Sequence, residues 1–105
     1  RGFCIYIKRK AINNIGLFDE KTFGKGYGEE NDFSYRCLQA GYRHLLCDNT
    51  YIYHKGTQSF SQEKTELINS HLQILKSRYP SCVENTESFV QQNPMPLIHI
   101  LRKMY

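Results

Sequence analysis

Apolar and polar positions alternate along the chain in two rhythms. Residues 3–7, Phe-Cys-Ile-Tyr-Ile, form a short apolar and aromatic run rich in strand formers. Residues 43–48 and 51–54 read as two further strands, turned at Asp48-Asn49-Thr50. The other rhythm is helical. Residues 9–15 predict a short helix stopped by Gly16. Residues 17–27 read as a loop with Gly24 and Gly26 as pivots, and its Phe18, Phe23 and Tyr27 need a surface to pack on. A helix follows from Gly28-Glu29-Glu30 to Ala40-Gly41, with Phe33, Cys37 and Ala40 on one stripe and Glu29, Asp32 and Arg36 on another.

After Gly56 the pattern is wholly helical. Ser59 and Gln62 fit a capping box that opens a helix running to about Tyr79, where Pro80 stops it. Ile68, Leu72, Leu75 and Tyr79 form its expected seam. Residues 82–92 predict another helix, Asn93-Pro94-Met95-Pro96 breaks the chain, and 97–105 suggest a last amphipathic turn or two. These elements imply an α/β fold: a small mixed sheet from 3–7, 43–48 and 51–54, packed by the helix at 29–40, with a C-terminal helical tail.

Composition narrows the classes. With 105 residues, 40% hydrophobic and 23% charged, the chain is one domain or part of one, and wholesale disorder is excluded. Opening on Arg1 in the middle of an apolar run reads as a cut inside a longer protein. No apolar run approaches the ~20 residues of a membrane span. Fourteen basic against ten acidic residues give +4, short of the dense patch of a nucleic-acid binder. Cys4, Cys37, Cys47 and Cys82 lie far apart among apolar residues, which points to reduced thiols and a cytoplasmic setting. Lys8-Arg9-Lys10 reads first as a solvated helix face, with peripheral contact to an anionic membrane as the alternative.

Glu29, Glu30 and Asp32 carry the candidate chemistry. Carboxylates in a first helical turn ordinarily oppose the positive end of the helix dipole. Three of them within four residues, after a glycine-rich approach, also suit a general base able to deprotonate an alcohol.

The motifs Gly16-Leu-Phe18-Asp19-Glu20, Phe23, Gly28-Glu29-Glu30-Asn31-Asp32-Phe33-Ser34-Tyr35-Arg36, Ala40-Gly41-Tyr42, His54-Lys55-Gly56 and Ser59-Phe60 occur in this order. Together they resemble the C-terminal half of a family 2 glycosyltransferase catalytic domain, of the GT-A fold. The resemblance covers about residues 2–60 and implies two parts: an acceptor-side half at 1–60 and a helical extension at 61–105.

It also implies roles. Glu30 corresponds to the general base that takes the proton from an acceptor hydroxyl as it attacks a nucleotide sugar with inversion. Glu29 and Asp32 would hold acceptor hydroxyls or orient the helix, and Tyr27 would stack on a sugar ring. Asp19 would cap backbone N–H groups and brace the loop. His54 is either an ordinary surface histidine or a ligand to Mg²⁺ or Mn²⁺ near the diphosphate. The main metal ligands of the family lie in an Asp-x-Asp motif upstream, which this sequence lacks along with the nucleotide-binding half.

The expected partners are therefore a nucleotide-sugar donor, a glycan acceptor and the missing N-terminal half, with no nucleic acid. The setting implied is polysaccharide synthesis at the inner face of a membrane, and the chain alone is expected to be inactive. Self-association through the helix at 62–79 is expected from its seam. A non-catalytic glycan-binding or assembly module is the alternative. Zinc held by Cys37, His44, Cys47 and His54 is disfavoured, because only His44 and Cys47 have a paired short spacing.

Overall fold

The structure is a computed structural model that describes residues 4–24, 26–55 and 61–92. Among the described residues five helices follow in order: α1 (Arg9–Ile15), α2 (Glu20–Phe23), α3 (Glu29–Gln39), α4 (Gln62–Arg78) and α5 (Pro80–Gln92). Helices hold 63% of the described residues, and no strand occurs among them.

This corrects the α/β expectation and the partial GT-A sheet. Residues 4–8, 42–47 and 50–55 carry no regular structure, and no ladder joins them. Apart from the half-buried Ile7 and Tyr42 these residues are exposed: Tyr6 is 92% exposed and Leu45 91%. Strand propensity measures fit to a paired, half-buried surface, and an isolated two-stranded ribbon is marginal. With no paired neighbour among the described residues, these strand formers take no regular structure. Residues 3, 59 and 97–105, on which other expectations fell, lie outside the described residues.

The helices arise from local signals. α1 ends at Gly16, whose N–H bonds Ile12 O at 2.8 Å. The stretch expected as loop contains the one-turn helix α2, because the Asp19 side chain accepts from Thr22 N at 3.2 Å and caps it. α3 closes in a Schellman arrangement: Tyr42 N bonds Cys37 O at 3.0 Å and Gly41 N bonds Leu38 O at 3.1 Å. Gly41 adopts φ +86°, which that ending requires.

Ser61, not Ser59, caps α4, accepting from Lys64 N at 3.1 Å. Pro80 then takes the first position of α5, where its missing N–H costs nothing, and it pushes Tyr79 to φ −135°, ψ 60°.

α1 packs on α3, and α4 on α5. The core joins Phe23, Tyr35, Leu75, Tyr79 and Val83, with Leu72, Ile74 and Cys82 against it. Burial of an aromatic ring such as Phe23, 1% exposed, contributes roughly 2–3 kcal/mol. The Tyr35 and Tyr79 rings meet at 5.4 Å, and Tyr35 Oη lies 3.2 Å from Thr86 Oγ1, tying α3 to α5. On α4 the buried face is His71, Leu75 and Tyr79, whereas Ile68 of the expected seam is 38% exposed. On α3, Phe33 and Cys37 are buried as expected and Ala40 is exposed. No helix among the described residues is long and apolar enough to cross a membrane.

Candidate functional site

The acidic turn is delivered by α3 and held from three sides. Its approach is the 26–28 turn, with Gly26 at φ +92°, Tyr27 at +63° and Gly28 at +122°. Tyr27 is the non-glycine residue in the left-handed region among those described, and a bulky aromatic is rare there. Gly28 N-caps α3, its carbonyl accepting from Asp32 N at 2.8 Å. A Cβ at Gly28 would lie 3.0 Å from the Phe23 ring.

α4 clamps this turn. His71, 7% exposed, places Nδ1 2.6 Å from Tyr27 O. A carbonyl only accepts, so Nδ1 carries the proton. The imidazole also meets the Phe23 ring edge-on at 5.1 Å. One helical stretch earlier, Lys64 Nζ sits 5.2 Å from the Tyr27 ring centroid.

Behind the turn stands a charged hub. Asp32, 1% exposed, accepts from Tyr79 Oη at 2.7 Å and from Arg78 Nη1 at 3.0 Å through Oδ1, and from Arg36 Nε at 3.0 Å through Oδ2. Arg36 also donates to Ile15 O (3.1 Å) and Leu17 O (2.7 Å), binding the end of α1 to α3. Arg78 reaches on to Asp19 Oδ2 at 2.9 Å and Thr22 Oγ1 at 3.0 Å. The side chains of six residues, Asp19, Thr22, Asp32, Arg36, Arg78 and Tyr79, thus join α1, α2, α3 and α4 in one network.

Its electrostatics follow from the contacts. The Arg78 bond, with those from Thr22, holds the Asp19 carboxyl down at about 2. The Asp19 bond in turn raises Arg78. Burial, and then the bond to Asp32, pushes the Tyr79 phenol up to about 12. Burial raises the Cys37 thiol.

The predicted site residues fall in different surroundings. Glu29 and Glu30 are half-buried in the first turn of α3. Glu29 lines a shallow groove of about 170 Å³ with Phe18, Glu20, Phe23, Gly24 and Gly26. Its Oε2 is buried and meets no hydrogen-bond donor among the described residues. Tyr27, 44% exposed, stands on the turn that leads into α3. Asp32 turns into the interior, and both its oxygens are taken, so it orients α3. Asp19 caps and braces as expected. His54 stands on the exposed stretch at 42–55.

Among the described residues, no three His, Cys, Asp or Glu side chains are grouped to hold a metal ion. With Asp32 engaged by two guanidinium groups, these residues do not by themselves fit Mg²⁺ or Mn²⁺, nor do they form the disfavoured zinc site.

His71, Arg78 and Tyr79 were not singled out from sequence as parts of this site. The signal that points to them is their spacing at i, i+7 and i+8, which puts two polar groups on one helical face with a core aromatic. No family model, curated protein or solved structure matches the chain.

Proposed function

We propose that the chain is the acceptor-side segment of an inverting sugar transferase resembling family 2 glycosyltransferases. Glu30 is the general base. It takes the proton of an acceptor hydroxyl while that oxygen bonds to the anomeric carbon of a nucleotide sugar and the bond to the diphosphate breaks. Glu29 holds the acceptor, Tyr27 offers its ring to a sugar face, and Asp32 keeps the helix in register. The setting is polysaccharide synthesis at the inner face of a membrane.

The observation that carries this reading is Glu29 Oε2, a buried acceptor atom that no donor among the described residues meets, on a residue that lines the groove and directly precedes Glu30 in the first turn of α3. Buried polar atoms are normally bonded, and a sugar hydroxyl is a donor of the right kind. The ordered Gly-Glu-Glu-Asn-Asp-Phe motif supplies the rest of the support.

The test uses the natural full-length protein bearing this sequence, assayed for transfer from a panel of nucleotide sugars. Glu30→Gln is expected to lower turnover by roughly 10²–10⁴-fold with folding and donor binding retained. Transfer at the wild-type rate by Glu30→Gln overturns the assignment.

A glycan-binding module without turnover is favoured by a different observation, the outward Tyr27 ring on its strained backbone. Glycan binding that depends on Tyr27, with no transfer from any donor, decides for that reading.

A further inference from the structure

We propose that His71 is the positioning residue of the acidic turn, setting from α4 the direction in which Glu29 and Glu30 leave the start of α3. The functional weight of this role rests on the reading of Glu30 as base, but the positioning itself does not.

The argument begins with a misfit. Position 71 belongs to the buried face of α4, where Leu75 and Tyr79 follow at successive turns. An apolar residue would satisfy packing there, and a buried imidazole is costly unless it is bonded. The bond it makes is to the main chain, at Tyr27 O, 44 residues away. That carbonyl belongs to the peptide immediately before Gly28, the N-cap of α3. Fixing it fixes the plane of the Tyr27–Gly28 peptide and hence the axis of the first turn.

Two further contacts make this placement specific. The His71 Cβ would be 3.4 Å from a Cβ on Gly28, so the turn is seated directly on the histidine. The ring also rests edge-on against Phe23, which closes the other side of the turn. The left-handed backbone of Tyr27 persists because the surroundings over-determine it, and His71 provides the hydrogen bond among those surroundings.

The experiment is amide hydrogen exchange on the 105-residue chain. The reporting amides are Gly26, bonded to Phe23 O at 2.7 Å, and Asp32, bonded to Gly28 O at 2.8 Å. Val83, bonded to Tyr79 O at 3.0 Å, is the reference. His71→Phe keeps a ring against Phe23 and removes the donor. His71→Asn restores a donor near the place of Nδ1.

His71→Phe is expected to speed Gly26 and Asp32 exchange about tenfold while leaving Val83 unchanged, and His71→Asn to return both to within about twofold of wild type. Equal acceleration of all three amides, no acceleration at all, or failure of Asn to rescue overturns the proposal. Should His71→Phe not fold, Asn is compared with His71→Gln, whose donor lies one bond further out: only Gln should loosen the turn, and equal behaviour of the two overturns it. Because exchange is read without a sugar donor, a transferase assay that fails leaves this result standing, and the reverse also holds.

Discussion

The Tyr79 hydroxyl donates to Asp32 Oδ1 at 2.7 Å, joining the end of α4 to the first turn of α3 across 47 residues of sequence. Arg78, the residue before it, donates to the same oxygen at 3.0 Å. One carboxylate of the acidic cluster is thus the anchor of the fold. Asp32→Ala leaves Arg36, Arg78 and Tyr79 facing an apolar gap, and is expected to cost about 3–5 kcal/mol in urea unfolding. Asp32→Asn keeps an acceptor for Tyr79 and should cost less. Losses below about 1 kcal/mol for both, well short of a broken buried pair, would remove Asp32 from this role.

Tyr79 gives the network an alkaline limit. Its phenol titrates at about 12 when folded, against 10.0 when free, because burial and the Asp32 bond disfavour the phenolate. The folded protein therefore holds a proton between pH 10 and 12 that the unfolded chain releases. Stability from this group is complete below pH 10 and is lost as pH rises through about 12. Tyr79→Phe should remove that dependence while lowering neutral-pH stability by about 1–3 kcal/mol, since Asp32 loses a donor. Thermal melts between pH 9 and 11.5 compare the two; parallel pH slopes would refute the assignment.

Asp19 sets the acid side. Its folded value of about 2 lies below the free 3.8, so between these values the unfolded chain binds protons that the folded one does not. The contribution is present above pH 3.8 and disappears as pH falls through about 2. In Asp19→Asn the stability difference between pH 5 and pH 2.5 should shrink, and Arg78→Met should shrink it too, because Arg78 is the main cause of the depression. Circular dichroism melts at the two pH values measure it.

The turn before α3 separates strain from collision. Gly26 and Gly28 both have positive φ, but a Cβ at Gly26 would meet nothing within 4 Å, whereas one at Gly28 would press on Phe23 at 3.0 Å. Gly26→Ala should cost about 1–2 kcal/mol from backbone conformation alone. Gly28→Ala should cost at least ~1 kcal/mol more, from the displaced Phe23 ring. Equal losses in chemical denaturation would mean that Phe23 yields freely.

Much of the helical frame was legible because its signals are local. Gly16 and Gly41 stop α1 and α3 where expected, and Pro80 separates α4 from α5. The cap at Asp19 was expected from the resemblance, although the single turn it opens was not. The sheet was misread because strand-forming side chains reveal preference and not the presence of a partner. Residues 43–48 and 51–54 have the composition of strands and no ladder among the described residues.

The site divides in the same way. The position of Glu29 and Glu30 at a helix start follows from Gly28 and the apolar stripe behind it. The inward turn of Asp32 does not, because its partners Arg78 and Tyr79 are 46 and 47 residues away, and their shared helical face with His71 does not say which residue they meet. His71 was hidden for the same reason: its partner is a backbone carbonyl, which has no residue type to recognise.

The exposed stretch between α3 and α4 has a consequence for how the polypeptide holds together once cut. From Arg43 to Lys55 no residue is buried, and Leu45, Leu46, Tyr51 and Tyr53 stand open to a chymotrypsin-like protease. The bonds from Asp32 to Arg78 and Tyr79, from Tyr27 to His71 and from Tyr35 to Thr86 all cross that gap through space. Nicking there should yield two peptides that migrate as one particle in native buffer and separate only in denaturant.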